Sequence, residues 1–222
     1  MKFYLINGSN RKQFNTAQLL DAAAEGITDE LEKHEKTADV DIIDLYTVEY
    51  KGCKSCLHCK KIEGKYYGIC PIKDDLFTLL PKIWASNGLI LASPIYFGNV
   101  SGQKRCFIER LLFPKFVYGG KTLASPKPTA FIYDMNVNKE LSDEMYTDSI
   151  YSPLERFLEY TFGKPYSLKI YDTYQFRDYS LYEHDFDVDA KKKQKEEQFP
   201  KDLEKAYNLG VQIVQDALKN KN

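Results

Sequence analysis

The 222-residue sequence predicts an α/β fold: a doubly wound, five-stranded parallel sheet in the order 2-1-3-4-5 with helices on both faces. Three observations point there. Short apolar runs alternate with longer stretches in which apolar residues recur at helical spacing, the rhythm of βαβ units. The runs are apolar almost throughout, as strands covered on both faces require. The length, with 43% hydrophobic residues, supports one sizeable core, and no repeat or low-complexity linker divides it, so residues 1–222 read as a single domain.

Phe3 to Ile6 is the first strand, and residues 16–35 form a helix with Ala17, Leu19, Leu20, Ala23 and Ala24 on its apolar face. Residues 41–45 give the second strand. A helix over 74–85 turns Leu76, Leu79, Leu80 and Ile83 inward, and residues 88–92 are the third strand. The next helix, 101–112, is amphipathic through Cys106, Ile108, Leu111 and Leu112, which makes Cys106 a core residue. The fourth strand is 128–133. Residues 142–162 are helical with a break near Pro153, and 167–171 are the fifth strand. Residues 187–222 read as a C-terminal helical extension, divided at Pro200, with Leu209, Val211, Ile213, Val214 and Leu218 in helical period. A cysteine-containing insertion occupies about 50–73.

Charge excludes some functions. With 31 basic and 32 acidic residues, the chain lacks the excess a nucleic-acid binder needs to neutralise phosphates. The run Lys191-Lys192-Lys193 is diluted by Glu196 and Glu197 and reads as a solvated helix face. No stretch reaches the roughly 20 apolar residues of a membrane span, and the first residues turn polar too soon for a signal peptide. The expectation is a cytoplasmic protein with no membrane partner.

Gly8 to Thr16 leads from the first strand into the first helix. A phosphate needs several donors converging on one point; a helix N-terminus offers free N–H groups and a positive dipole end. Ser9, Asn15 and Thr16 add neutral donors and Arg11 a charged one. Neither the dinucleotide fingerprint nor the Walker loop is present. The alternative is an ordinary turn with Asn15 or Thr16 as N-cap. The third strand likewise ends in Ser93-Pro94-Ile95-Tyr96-Phe97-Gly98, with Ser101 before the next helix. Aromatic and apolar residues at a strand's carboxyl end suit a flat ligand; the alternative is a proline-shaped turn with its aromatics in the core.

Together, Gly8-Ser9-Asn10-Arg11 with Asn15-Thr16, and Ser93 to Gly98 with Ser101, resemble the NAD(P)H-dependent FMN reductase family of the flavodoxin-like superfamily. The resemblance is close from Met1 to about Leu112. It implies FMN as cofactor and NAD(P)H as electron donor, with a quinone, a flavin or another small molecule as acceptor. By resemblance, Ser9, Arg11, Asn15 and Thr16 hold the phosphate, with Gln13 and Phe14 in the same loop. Pro94, Ile95, Tyr96, Phe97 and Gly98 contact the ring and ribityl chain. A third flavin loop is expected at about Asp134-Met135-Asn136. Flavin chemistry asks for no nucleophile or paired carboxylates, and none stands out. A simple electron carrier of the flavodoxin type would be shorter and more acidic than a chain of net charge −1.

Cys53, Cys56 and Cys59 stand at C-x2-C-x2-C spacing, and Cys70 follows. Three such thiols can converge on one cluster, with a fourth thiolate from a later turn. The pattern resembles the iron-sulfur flavoprotein branch of the superfamily, which implies a [4Fe-4S] cluster on Cys53, Cys56, Cys59 and Cys70 and an alternative role as an electron carrier fed by ferredoxin. The ten residues between Cys59 and Cys70 are longer than that branch's spacing. Free or redox-active thiols, or zinc held with His58 or Cys70, remain open. The aromatic-rich segment 160–186 leads to the expectation of a homodimer, since subunit interfaces are rich in such residues.

Overall fold

The computed structural model describes residues 1–220. Its strands are β1 (Lys2–Asn7), β2 (Asp39–Asp44), β3 (Gly88–Tyr96), the two-residue β4 (Asn99–Val100), β5 (Thr129–Asp134) and β6 (Tyr166–Ile170). The main helices are α1 (Asn15–Lys33), α2 (Asp75–Ala85), α3 (Gly102–Leu112), α4 (Lys139–Tyr146), α5 (Ser152–Phe162), α6 (Val188–Lys193) and α7 (Phe199–Lys219). The sheet order is β2-β1-β3-β5-β6, all parallel, with β4 folded back antiparallel on the end of β3. With β4 set aside, this is the expected 2-1-3-4-5 order.

Alternation along the central strands explains why both faces are covered. Phe3, Leu5, Ile90, Ala92, Ala130 and Ile132 join the core under α1 and α7. Tyr4, Ile6, Leu89, Leu91, Phe131 and Tyr133 join the core under α2, α3 and α5. Strand β3 runs four residues past its expected end because Ser93 and Pro94 pair with Tyr133 and Asp134.

Both prolines expected to break helices stand in the first turn of a new one, where a missing N–H costs nothing. Pro153 opens α5 after a π-helical turn, Thr147–Tyr151, and Pro200 opens α7 after another, Gln194–Gln198. Three expectations need correction. The C-terminal segment is no appendage: α7 packs along α1, with Ala206, Leu209, Ile213, Val214 and Ala217 in the core. The basic run is not uniformly solvated, because Lys191 is buried; its ammonium donates to Asn136 Oδ1 at 2.6 Å and pairs with Asp172. Cys106 is only half-buried, with Gly52 close to its sulfur. Among the described residues, no helix is long and apolar enough to cross a membrane.

Helices α1 and α7 meet backbone to backbone. A Cβ on Gly26 would lie 2.1 Å from the Tyr207 carbonyl oxygen, and one on Gly210 2.1 Å from that of Ala23. In an exposed helix Gly→Ala gains about 1 kcal/mol. Here Gly210→Ala should instead cost about 2 kcal/mol or more by overpacking, lowering Tm by at least about 4 °C. A thermal melt showing an unchanged or raised Tm would show that the two helices can part without penalty.

Candidate functional site

The carboxyl ends of β1, β3 and β5 reach one edge of the sheet together. Gly8 leaves β1 with its N–H donating to the Ala92 carbonyl at 2.8 Å. A side chain at Gly8 would have to displace Lys104, since a Cβ would stand 2.8 Å from that residue's Cε. Ser101 donates its hydroxyl to the Gly8 carbonyl at 2.7 Å, while its N–H donates to Ser93 Oγ at 3.0 Å. The two loops singled out from the sequence are thus tied to each other. Lys104 lies wholly buried beneath them, its Nζ donating to the Ile6 carbonyl at 2.6 Å. Burial holds its amine well below the ordinary lysine range.

Within the loop from Gly8 to Thr16, the Ser9 N–H donates to Asn7 Oδ1 at 2.9 Å and the Arg11 N–H to Ser9 Oγ at 3.2 Å. The N-cap of α1 is Phe14, whose ring cannot cap, and no acidic residue occupies the first turn. The helix therefore presents open N–H donors and its positive dipole end, an anion site. Asn15 and Thr16 lie inside the helix, so neither is the N-cap that the ordinary-turn alternative expected.

Ser9, Arg11, Phe14, Asn15 and Thr16 face Pro94, Ile95 and Tyr96, together with Asp134, Met135 and Asn136, around one narrow cleft. The segment expected as a third loop, Asp134-Met135-Asn136, therefore lines the same cleft. Gln175 closes the cleft, and sequence reasoning missed it: it arrives from a loop after β6 that carries no motif. That loop already engages the phosphate-loop side chains. Arg11 Nη2 donates to the Gln175 carbonyl at 2.7 Å and Asn15 Nδ2 to that of Tyr174 at 3.1 Å. The other aromatic residues of this segment stack on one another, as Phe176 does on Tyr182 at 4.3 Å.

Three expected residues lie outside the cleft. Gln13 accepts from Arg177 at 3.3 Å beside a separate, open groove. Phe97 and Gly98 form the tip of the β3–β4 hairpin, both with left-handed φ, +48° and +70°, as a two-residue hairpin turn requires. Phe97 is fully exposed, so the turn does not tuck its aromatics into the core.

Asp134 is the chemically unusual member. It is buried, Oδ2 accepts from Thr16 Oγ1 at 2.8 Å, and Oδ1 has no partner. Burial pushes its carboxyl up, against the hydrogen bond from Thr16 and the charge of Arg11. A protonated Asp134 could donate a hydrogen bond into the cleft, whereas an ionised one would repel an anion there.

The four cysteines of the insertion line a second, enclosed pocket with Arg110 and Phe113. The loop between Cys59 and Cys70 does not carry Cys70 away: tight turns fold it back, and the Gly68 N–H donates to the Cys59 carbonyl at 3.0 Å. Lys60 anchors the insertion by donating to the carbonyls of Phe113 and Phe116. Behind the pocket, Arg110 makes a buried two-pronged pair with Asp74 at 2.8 and 2.9 Å. Burial and the neighbouring sulfurs of Cys70, Cys53 and Cys56 push the Cys59 thiol up, opposed by Lys60. His58 lies outside the pocket, over an exposed hollow. Among the described residues no three His, Cys, Asp or Glu side chains sit close enough to hold a single metal ion, which does not fit the zinc reading.

Residues 1–143 match the family model described as NADPH-dependent FMN reductase. An iron-sulfur flavoprotein of Methanocaldococcus jannaschii is 37% identical over 110 residues, 50% of this chain and 51% of that protein. One from Archaeoglobus fulgidus is 38% identical over 110 residues, 50% and 48% of the two chains. The chain thus spans about half the length of these relatives. In fold, it is similar to an NAD(P)H:quinone oxidoreductase from Methanothermobacter marburgensis, with TM-score 0.65 at 15% identity over 95% of this chain and 94% of that one. The matched region contains both loops and the strands that carry them, and the chain belongs to the NADPH-dependent FMN reductase family.

Proposed function

We propose that the cleft between the phosphate loop and Pro94–Tyr96 binds FMN, and that the protein passes electrons from NAD(P)H to a small acceptor such as a quinone or a flavin. The observation that carries this reading is the uncapped N-terminus of α1 opening into the cleft that Pro94, Ile95 and Tyr96 line. Ser9, Arg11, Asn15 and Thr16 would hold the phosphate, and Tyr96, about half exposed, would flank the ring. Bound FMN supplies the hydride chemistry. The residues do the rest: the loops would orient the cofactor, and burial, by pushing the Asp134 carboxyl up, would lessen the like charge the phosphate meets. The Arg11 and Asn15 side chains, now on carbonyls of the 174–175 segment, are available to exchange those acceptors for the phosphate.

A second reading is an iron-sulfur flavoprotein that carries electrons from ferredoxin. It is supported by the four thiols sharing one pocket and by the names of the two relatives above. Cys53, Cys56, Cys59 and Cys70 would hold the cluster, which would supply one-electron transfer. Anaerobic purification with iron and sulfide assays decides this: about four of each per chain is expected, and a metal-free protein that cannot be reconstituted sinks it. A homodimer also belongs to this proposal, with the exposed Leu181 and Tyr182 as contact candidates; light scattering that shows only monomer at micromolar protein rules it out.

Three outcomes test the flavin reading. The chain should take up FMN with quenching of flavin fluorescence; failure to bind on titration refutes it. Ser101→Ala leaves the buried Gly8 carbonyl without its hydroxyl donor, which should cost about 1–3 kcal/mol of stability, and, with the two loops untied, FMN affinity should fall. Asp134 titrates higher in the fold than at the roughly 3.9 of an unfolded chain. Its proton is then held alike in both states below about pH 3.9, and stability is lost as pH rises from there through the raised value. Apoprotein Asp134→Asn should therefore be more stable than the parent at pH 7 by on the order of 1 kcal/mol, with the gap closing towards pH 4. Denaturant unfolding that gives the same gap at both pH values would contradict a raised Asp134.

A further inference from the structure

A second concave site lies away from the flavin cleft, between α3, α5 and the loop that follows α3. It measures about 610 Å3, within the range of small-molecule sites. We propose that it binds a flat aromatic carbonyl compound of the quinone class, edge-on to Cys53. The binding stands apart from the flavin reading; only the occupant's service as electron acceptor rests on it.

The walls suit a planar ring. Phe116 meets Tyr118 edge-on, with centroids 5.1 Å apart and planes at 88°, and meets Phe157 at 6.1 Å and 72°. Rings set at such angles leave faces and edges free for a further ring. Phe157 is 48% exposed and Tyr118 69%, so these rings have room to bury more apolar surface. The wall is also fixed in advance. Lys60 bonds the carbonyls of Phe113 and Phe116, and the Tyr160 hydroxyl lies 2.7 Å from the carbonyl oxygens of both Val117 and Gly120. A wall held in place costs little ordering on binding.

Three of the polar lining residues, Arg105, Glu109 and Cys53, meet at one place. Arg105 sits there, its Nε 3.6 Å from Glu109, while the other Glu109 oxygen accepts from the Cys53 N–H at 3.2 Å. Glu109 is thus partly engaged with the backbone, and Arg105 is placed to donate to a ligand oxygen. An aromatic body with a carbonyl or anionic edge matches that layout; an aliphatic chain would leave Arg105 unanswered. Cys53, Glu109 and Phe113 belong both to this site and to the enclosed cysteine pocket. The occupant would therefore share a wall with the four thiols.

Calorimetry with anthraquinone-2-sulfonate, whose rings offer no site for ready thiol addition, tests this on FMN-loaded and FMN-free protein. Binding of one molecule per chain is expected in both forms. Phe157→Arg should weaken it at least tenfold and Arg105→Ala about fivefold, with FMN content unchanged. Arg105 is itself exposed, so its variant keeps the test alive if Phe157→Arg fails to fold. No binding, or equal affinity in parent and variants, overturns the proposal. Binding confined to the FMN-loaded form and indifferent to both variants places the ligand on the flavin and also overturns it. So does a dimer that Phe157→Arg splits in a protein that does not bind the quinone. Should the chain bind no FMN, the flavin reading falls, while the comparison of parent and variants on the FMN-free protein still decides this one.

Discussion

The hydroxyl of Ser101 is the junction on which the site depends. It donates to the Gly8 carbonyl at the end of β1 and accepts from the Lys104 N–H, capping α3, while the Ser101 N–H reaches Ser93 on β3. One buried residue thereby joins two strand ends and a helix start. A buried carbonyl left without a donor is expensive, so the Gly8 turn, and with it the uncapped start of α1, is held in a single place. The open donors of α1 and the apolar residues Pro94 to Tyr96 border one cleft because this tie leaves the loops little freedom to part.

Around that junction the protein buries charges in different ways. Lys104 has a single carbonyl partner and no carboxylate, so burial drives it towards the neutral amine. Asp134 is driven towards the neutral acid. Arg110, which stays charged, is met by Asp74 through two hydrogen bonds, the arrangement a buried ion needs. The two groups that burial pushes towards neutrality stand at the cleft and the paired one behind the cysteines. Burial thus weakens the negative charge at the cleft, and the Arg110 pair keeps a positive charge close to the thiols.

The cysteine region shows how far a motif reads on its own. The spacing of Cys53, Cys56 and Cys59 announces convergence because three residues per step return side chains to one side of a tight turn. Whether Cys70 joined them was not legible, since ten intervening residues fix no direction. Backbone hydrogen bonds decided it: turns within residues 60–69 and the Gly68–Cys59 bond bring the chain back. The aromatic pocket beside Cys53 was invisible for a similar reason, being assembled from α3, the loop after it and α5, each of which reads locally as an ordinary amphipathic or connecting segment.

By itself the sequence determined the layer order, the strand order and the two loops at the strand ends, because apolar periodicity and turn residues act over a few neighbouring positions. The family resemblance, and not periodicity, pointed to Asp134, which lines the cleft. What lay beyond the sequence depended on contacts between distant segments. Gly26 and Gly210 let α1 and α7 touch, so α7 became half of a face and no longer an extension. Lys191 looked like one of three solvated lysines until the loops at Asn136 and Asp172 folded against it. Gln175 reached the cleft only through the chain's path after β6. In each case a side chain's surroundings came from segments far away in sequence, and only tertiary packing sets that distance.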